Sequence, residues 1–189
     1  MNNKKINILK VLIPILFLSS GLIASQKQIM RSLYKDAKYM KACNIGHDSF
    51  LKNKKDEEYV TLYAYSCLKA DYINRLARPI GVLRSTKEAR FNSAYFSVIL
   101  MQKKLLYYSM IDDFDISSLK LPSSDHILSR IFNMYIDASR IGQKPPFNFT
   151  DKKDPNLSYK LYLIKEDNIQ KVVIDELYNS KLITKHKYW

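Results

Sequence analysis

Glycine is scarce in this chain, four in 189 residues, and only Gly46, Gly81 and Gly142 lie beyond residue 25. None is left over for a glycine-rich phosphate loop, a dinucleotide turn or a nucleophile elbow. Each follows an isoleucine (Ile45, Ile80, Ile141) at the end of a helix-like apolar pattern, the place of the left-handed residue that closes a helix. The expected fold is therefore all-α, a small bundle of about four to six helices.

The apolar spacing divides this bundle. Ile29, Leu33, Ala37 and Met40 form a stripe at intervals of three and four, predicting a first helix over 26–44. Asp56, Glu57 and Glu58 open a second, which carries Cys67 and reaches Arg78 before Pro79. Ser85-Thr86-Lys87-Glu88 reads as a capping box for a third helix to about residue 111. That helix is apolar most of the way round, with Phe91, Tyr95 and Val98 on one side and Phe96, Ile99 and Leu100 on another, which suits the centre of a bundle. Ile127, Ile131, Met134 and Tyr135 mark a fourth helix over 124–141. The domain reading is a bundle over 26–142, a proline-containing linker over 143–156 and a C-terminal helical segment over 157–189 packing on the bundle. Within the last, 158–164 fits either a short strand or first helical turns, and Ile169, Val172, Val173 and Leu177 favour helix over 168–180.

The N-terminus supplies the address. Lys4, Lys5 and Lys10 precede an apolar run from Val11 to Leu18 that passes into Ser19-Ser20-Gly21, the order of a secretory signal. Residues 1–25 are read as that signal, cut near 21–25, with an uncleaved N-terminal anchor as the competing reading. The expected location is the periplasm or cell envelope. In such an oxidising compartment Cys43 and Cys67, the chain's two cysteines, form a disulfide by default, stabilising by about 3 kcal/mol in the chain-entropy model.

Loss of residues 1–25 lowers the formal charge from +13 to +10. For an exported protein that excess favours an acidic protein partner, anionic lipid head groups or a cell-wall polymer, and nucleic acid is not expected. Length fits one domain that folds without metal or partner.

Catalytic chemistry is poorly represented. His47, His126 and His186 fall in three separate elements without metal spacing, so no metal, cofactor or catalytic residue is assigned. Asp113, Asp115 and Ser117 alternate like calcium ligands, but Ser118 and Ser124 stand where that loop needs glycine and glutamate. The stretch Glu88 to Ala94, with Met101-Gln102, is superficially similar to the catalytic glutamate region of lytic transglycosylases, without the glycines and spacing of that motif. Arg75, Arg78, Arg84, Lys87 and Arg90 surround the turn before the third helix and form a candidate anion site. Tyr59, Tyr63, Tyr65 and Tyr72 suit either core packing or a glycan- or peptide-binding groove. Lys187, Tyr188 and Trp189 combine a cation with aromatics as a candidate interface.

The reading is an exported, non-catalytic binding or adaptor protein for a protein or anionic envelope component. The alternative is an envelope enzyme such as a peptidoglycan-acting hydrolase or lyase.

Overall fold

The computed structural model describes residues 25–189. The expected signal or anchor lies outside the described residues except for Ser25, which caps the first helix: its Oγ accepts from the Gln28 amide and Gln28 Oε1 accepts from the Ser25 amide.

The helical part runs α1 (Gln26–Lys35), α2 (Tyr39–Asp48), a single turn α3 (Phe50–Asn53), α4 (Glu57–Lys69), a 3-10 turn (Ile73–Leu76), α5 (Ala77–Val82), α6 (Lys87–Asp112) and α7 (Ile127–Asp137). An antiparallel meander follows: β1 (Phe147–Thr150), β2 (Leu157–Glu166), β3 (Ile169–Tyr178) and β4 (Lys181–Tyr188), hydrogen-bonded in the order β1-β2-β3-β4. The all-α expectation is thus overturned. The linker 143–156 contains β1, and 157–189 is sheet, including the stretch 168–180 expected as helix.

The sheet forms because its turns need no glycine. Asp167-Asn168 and Asn179-Ser180 hold φ of 50° and 61°, and 48° and 63°, the two successive left-handed residues of a tight hairpin, for which asparagine and aspartate are the best substitutes for glycine. Between these turns both faces of β3 are covered. Val172, Ile174 and Glu176 face the helices, while Val173 and Asp175 face outward beneath long side chains of β2 and β4. An apolar run covered on both sides imitates helical spacing.

The helices also end without glycine. Ala37 (φ 55°), Asp71 (φ 63°) and Ser139 (φ 50°) occupy the left-handed position after α1, α4 and α7. The next amide in each case reaches back five residues: Lys38 to Leu33 O, Tyr72 to Cys67 O and Arg140 to Tyr135 O, the Schellman pattern. Two expected long helices are therefore split, at 36–38 and at 70–72. Of the glycines, Gly142 has positive φ, but Gly46 and Gly81 sit inside α2 and α5. Gly46 is needed for proximity, since a Cβ there would lie 2.5 Å from Tyr63 Cδ2. One turn away Cys43 and Cys67 are disulfide-bonded, with Cα atoms 4.7 Å apart. A small residue and a covalent bond thus seat α2 on α4.

Helices and sheet share one core. Phe147, Leu161, Ile174 and Tyr188 of the sheet join Phe96, Leu106, Phe132 and Tyr135 of α6 and α7 in a single buried cluster. α6 touches α4, α5, α7 and β3.

Candidate ligand-binding cleft

The first half of α6 carries apolar side chains at intervals of three and four, Phe91, Ala94, Tyr95 and Val98, and this row is only partly covered. Facing it are Tyr65 of α4 and the segment Pro122–Asp125 leading into α7. The space between them is a cleft of about 670 Å³. Phe91 is 68% exposed and lies nearly parallel to the Tyr95 ring, 6.5 Å away and tilted by 11°. Tyr65 stands 6.3 Å from Tyr95.

Polar groups fix these rings. Tyr65 donates to Asn92 Oδ1 (3.0 Å) and Tyr95 to Asp125 Oδ1 (2.9 Å). Burial raises both phenol pKa values, and at Tyr95 the adjoining Asp125 carboxylate raises it further. Both hydroxyls stay protonated at neutral pH, each donating to its acceptor.

At the Asp125 end the wall continues into a polar pocket of about 420 Å³ that reaches His126, Asp71, Glu176 and His186. His186 projects from the inner face of β4. Its Nδ1 lies 2.9 Å from both oxygens of Asp71 and its Nε2 lies 3.6 Å from Glu176 Oε1. Burial opposes the imidazolium, but the two carboxylates outweigh it and push the pKa up to about 9; the facing imidazolium of His186 in turn holds Glu176 below the ordinary range. His126 behaves oppositely. Burial drives it down to about 4, and its Nδ1 accepts the Leu128 amide as the cap of α7. An imidazolium with a carboxylate at each nitrogen is an ion triad tying β3 and β4 to the end of α4, with no lone pair for a metal. Among the described residues no group of three or more histidine, cysteine or acidic side chains is placed to hold a metal ion.

At the other end are Lys87, Glu88 and Asn92. The capping box expected here is replaced by a different cap. Thr86 Oγ1 accepts the Ala89 amide (3.0 Å), and Glu57 from α4 accepts the amides of Arg84 (2.9 Å), Ser85 (2.6 Å) and Thr86 (3.0 Å). These backbone donors, Ser85 and Arg84 foremost, hold Glu57 down to about 2. Glu88 is left exposed, without a hydrogen bond or ion pair among the described residues.

Of the five basic residues of the anion candidate, Arg75, Arg78 and Arg90 take separate partners, and Arg84 and Lys87 are exposed. Arg75 donates to Asn44 Oδ1 (2.7 Å) and Cys43 Sγ (3.3 Å) and lies over the Tyr72 ring. Arg78 lies 3.5 Å from His47 Nε2 and over Phe50. Arg90 donates to the carbonyls of Arg84 and Ser85 (3.2 and 2.7 Å), while Lys87 lines the cleft. The helix-end amides they surround already hold a carboxylate, that of Glu57. Lys187 and Tyr188 finish β4 and Trp189 follows it. Lys187 pairs with Glu166 (2.6 Å), Tyr188 is in the core, and Trp189 stands edge-on to Tyr72, its carbonyl bonded by Asn74 (2.6 Å) and Lys103. Of the four tyrosines singled out, Tyr59 and Tyr63 are core, Tyr65 lines the cleft and Tyr72 meets Trp189.

Sequence reading treats α6 as covered most of the way round, Phe91 and Tyr95 included, and assigns no role to Asp125, Asp71 or His186. The stripe was visible, but nothing in α6 marks where its covering ends. Comparison with family models, curated proteins and solved structures finds no match to this chain.

Proposed function

We propose that this chain is an exported binding protein of the periplasm or cell envelope, its signal cut near residues 21–25, and that the cleft beside α6 receives an apolar side chain from a partner protein. The carrying observation is the exposed Phe91 ring lying parallel to and offset from Tyr95 in a cleft walled by apolar surface. Aromatics in half-open pockets act as interface anchors. Beyond them stands the Asp125 carboxylate, whereas Asp71 and Glu176 are already paired with His186, so a segment with a cationic or neutral donor next to its apolar anchor fits. The anionic envelope component belongs to a different surface, the lysine-rich remainder of a chain that keeps a formal charge of +10 after loss of residues 1–25. Export is supported by the Cys43–Cys67 disulfide, and no helix among the described residues is long and apolar enough to cross a membrane.

The test is a photocrosslinking phenylalanine analogue at position 91 in the native envelope fraction, washed at high salt. A single partner should be captured from position 91 and not from position 52 on the exposed α3 turn. Phe91→Ala should then weaken the purified pair by roughly 10- to 30-fold, as expected for an aromatic anchor. Equal capture at both positions refutes the reading.

The second reading, a peptidoglycan-acting hydrolase or lyase, is favoured by one observation. Glu88 is relieved of capping and stands at the cleft mouth beside Asn92 and Phe91. Release of soluble fragments from isolated cell wall, abolished by Glu88→Gln, would establish it.

A further inference from the structure

The two outer strands of the sheet differ. β1 spans four residues, whereas β4 spans eight and pairs with β3 alone. Along its other side the backbone amides and carbonyls of 181–188 have no hydrogen-bond partner among the described residues. Such a row is a template for a further strand.

Its side chains restrict what can add. The register of β3 and β4 slips between Glu176 and Leu177, leaving Ile183 without an opposite residue and setting Leu182 against Leu177. Leu182 and Ile183 are each more than half exposed. Further along, Lys185 and Lys187 lie opposite Asp175 and Val173 on the outer face. On that face two carboxylates serve several lysines: Glu166 holds both Lys171 (2.9 Å) and Lys187 (2.6 Å), and Asp175 holds Lys185 (3.5 Å). Lys160, next in line, lies over the Tyr162 ring with no carboxylate.

A second copy is the wrong occupant. Two-fold antiparallel pairing of β4 with itself brings a lysine opposite a lysine of the other copy whichever of residues 183–186 lies on the axis (181 against 185, 181 against 187, 185 against itself, or 185 against 187), and like charges across a strand pair are destabilising. The same lysines favour a strand of opposite charge. We propose that the free edge of β4 docks an extended acidic segment of a partner protein, which adds as a fifth strand. Main-chain bonds supply affinity. Acidic residues at alternate positions beside Lys185 and Lys187, with an apolar residue toward Leu182 and Ile183, set the register, and the charge of +10 left after loss of residues 1–25 speeds encounter. This edge adjoins the polar pocket at the end of the cleft, which Thr184 and His186 of β4 line, and is not part of the Phe91 cleft.

The probe is a blocked heptapeptide alternating valine and aspartate, titrated into the full oxidised chain, with amide exchange of 181–187 read by NMR. Saturating peptide should slow exchange of the outward amides of β4 at least tenfold. The same peptide N-methylated at alternate residues keeps its charge but should give no protection. Lys185→Glu with Lys187→Glu should transfer the response to a valine–lysine peptide. The proposal is overturned if both aspartate peptides act alike, or if shifts appear without protection. It is likewise overturned if only phosphatidylglycerol vesicles bind, marking a charge-driven surface, or if no probe binds at millimolar concentration, leaving the lysines as guards against self-pairing.

Discussion

Gly46 and Gly81 occupy the same kind of backbone and have opposite surroundings. A methyl group at Gly46 would strike the Tyr63 ring, 2.5 Å from Cδ2, whereas at Gly81 it would meet nothing within 4 Å. Tyr63 is fully buried and hydrogen-bonded to Arg75 O, so it cannot swing aside cheaply. Gly46→Ala should therefore cost about 1–3 kcal/mol, the range for overpacking, while Gly81→Ala should gain about 0.5–1 kcal/mol from helix propensity; urea midpoints of the two variants measure the contrast. His186 gives a second prediction at this scale. Its pKa is about 9 when folded against 6.5 in the free side chain, so the contribution of the triad is complete below about pH 6.5 and disappears as pH rises through about 9. The difference in stability between wild type and His186→Gln, on the order of 2–3 kcal/mol at pH 6, should shrink toward zero by pH 10. A pH-independent difference would mean that the imidazole is held for its shape alone.

Helix ends and hairpins show why half of the architecture was legible and the rest was not. The stripe of α7 and the nearly all-round apolar surface of α6 were visible because those surfaces pack, α4 was marked by the acids at 56–58, and the pairing of Cys43 with Cys67 followed from cysteine count and compartment. The interruptions at Ala37 and Asp71 were hidden because residues other than glycine take the left-handed position there. The same substitution concealed the sheet: Asp167-Asn168 and Asn179-Ser180 are hairpin turns whose sequence also suits a helix end, and β3 is apolar on both faces. The anion candidate failed to anticipate Glu57 because its carboxylate comes from another helix, 27 to 29 residues before the amides it binds. That contact carries its own prediction. In Glu57→Ala three amides at the entry to α6 lose their acceptor, so the melting temperature should fall, and sulfate should restore part of it with Arg84 and Arg90 nearby. Melting scans with and without sulfate, against sodium chloride at equal ionic strength, measure this, and sulfate should not raise the wild type beyond the chloride control.

Across the whole molecule the expected boundary near residue 142 separates secondary structure but not packing. Phe147 sits 5.6 Å from Tyr135, Tyr107 bonds the Gln170 carbonyl at 2.8 Å, and Asp71 holds His186 across the join. The buried cluster passes from α1 to β4 without a gap. Cutting the chain after Gly142 would expose the faces of α6 and α7 that Phe147, Leu161, Ile174 and Tyr188 now cover, including Leu106, Phe132 and Tyr135. At about 25 cal/mol for each Å² of apolar surface, uncovering even a few such side chains removes several kcal/mol, comparable to the whole stability of an ordinary domain. The helical fragment 26–142 should therefore retain far-ultraviolet helicity but bind a hydrophobic dye and melt without a cooperative transition, while the full oxidised chain melts in one step with coincident near- and far-ultraviolet signals. The disulfide between α2 and α4 stays in the fragment and cannot rescue it, because it does not cover the apolar surface of α6 and α7 that the sheet leaves. A sharp melt of the fragment would mean that the helices form a domain of their own and that the sheet is an addition to it.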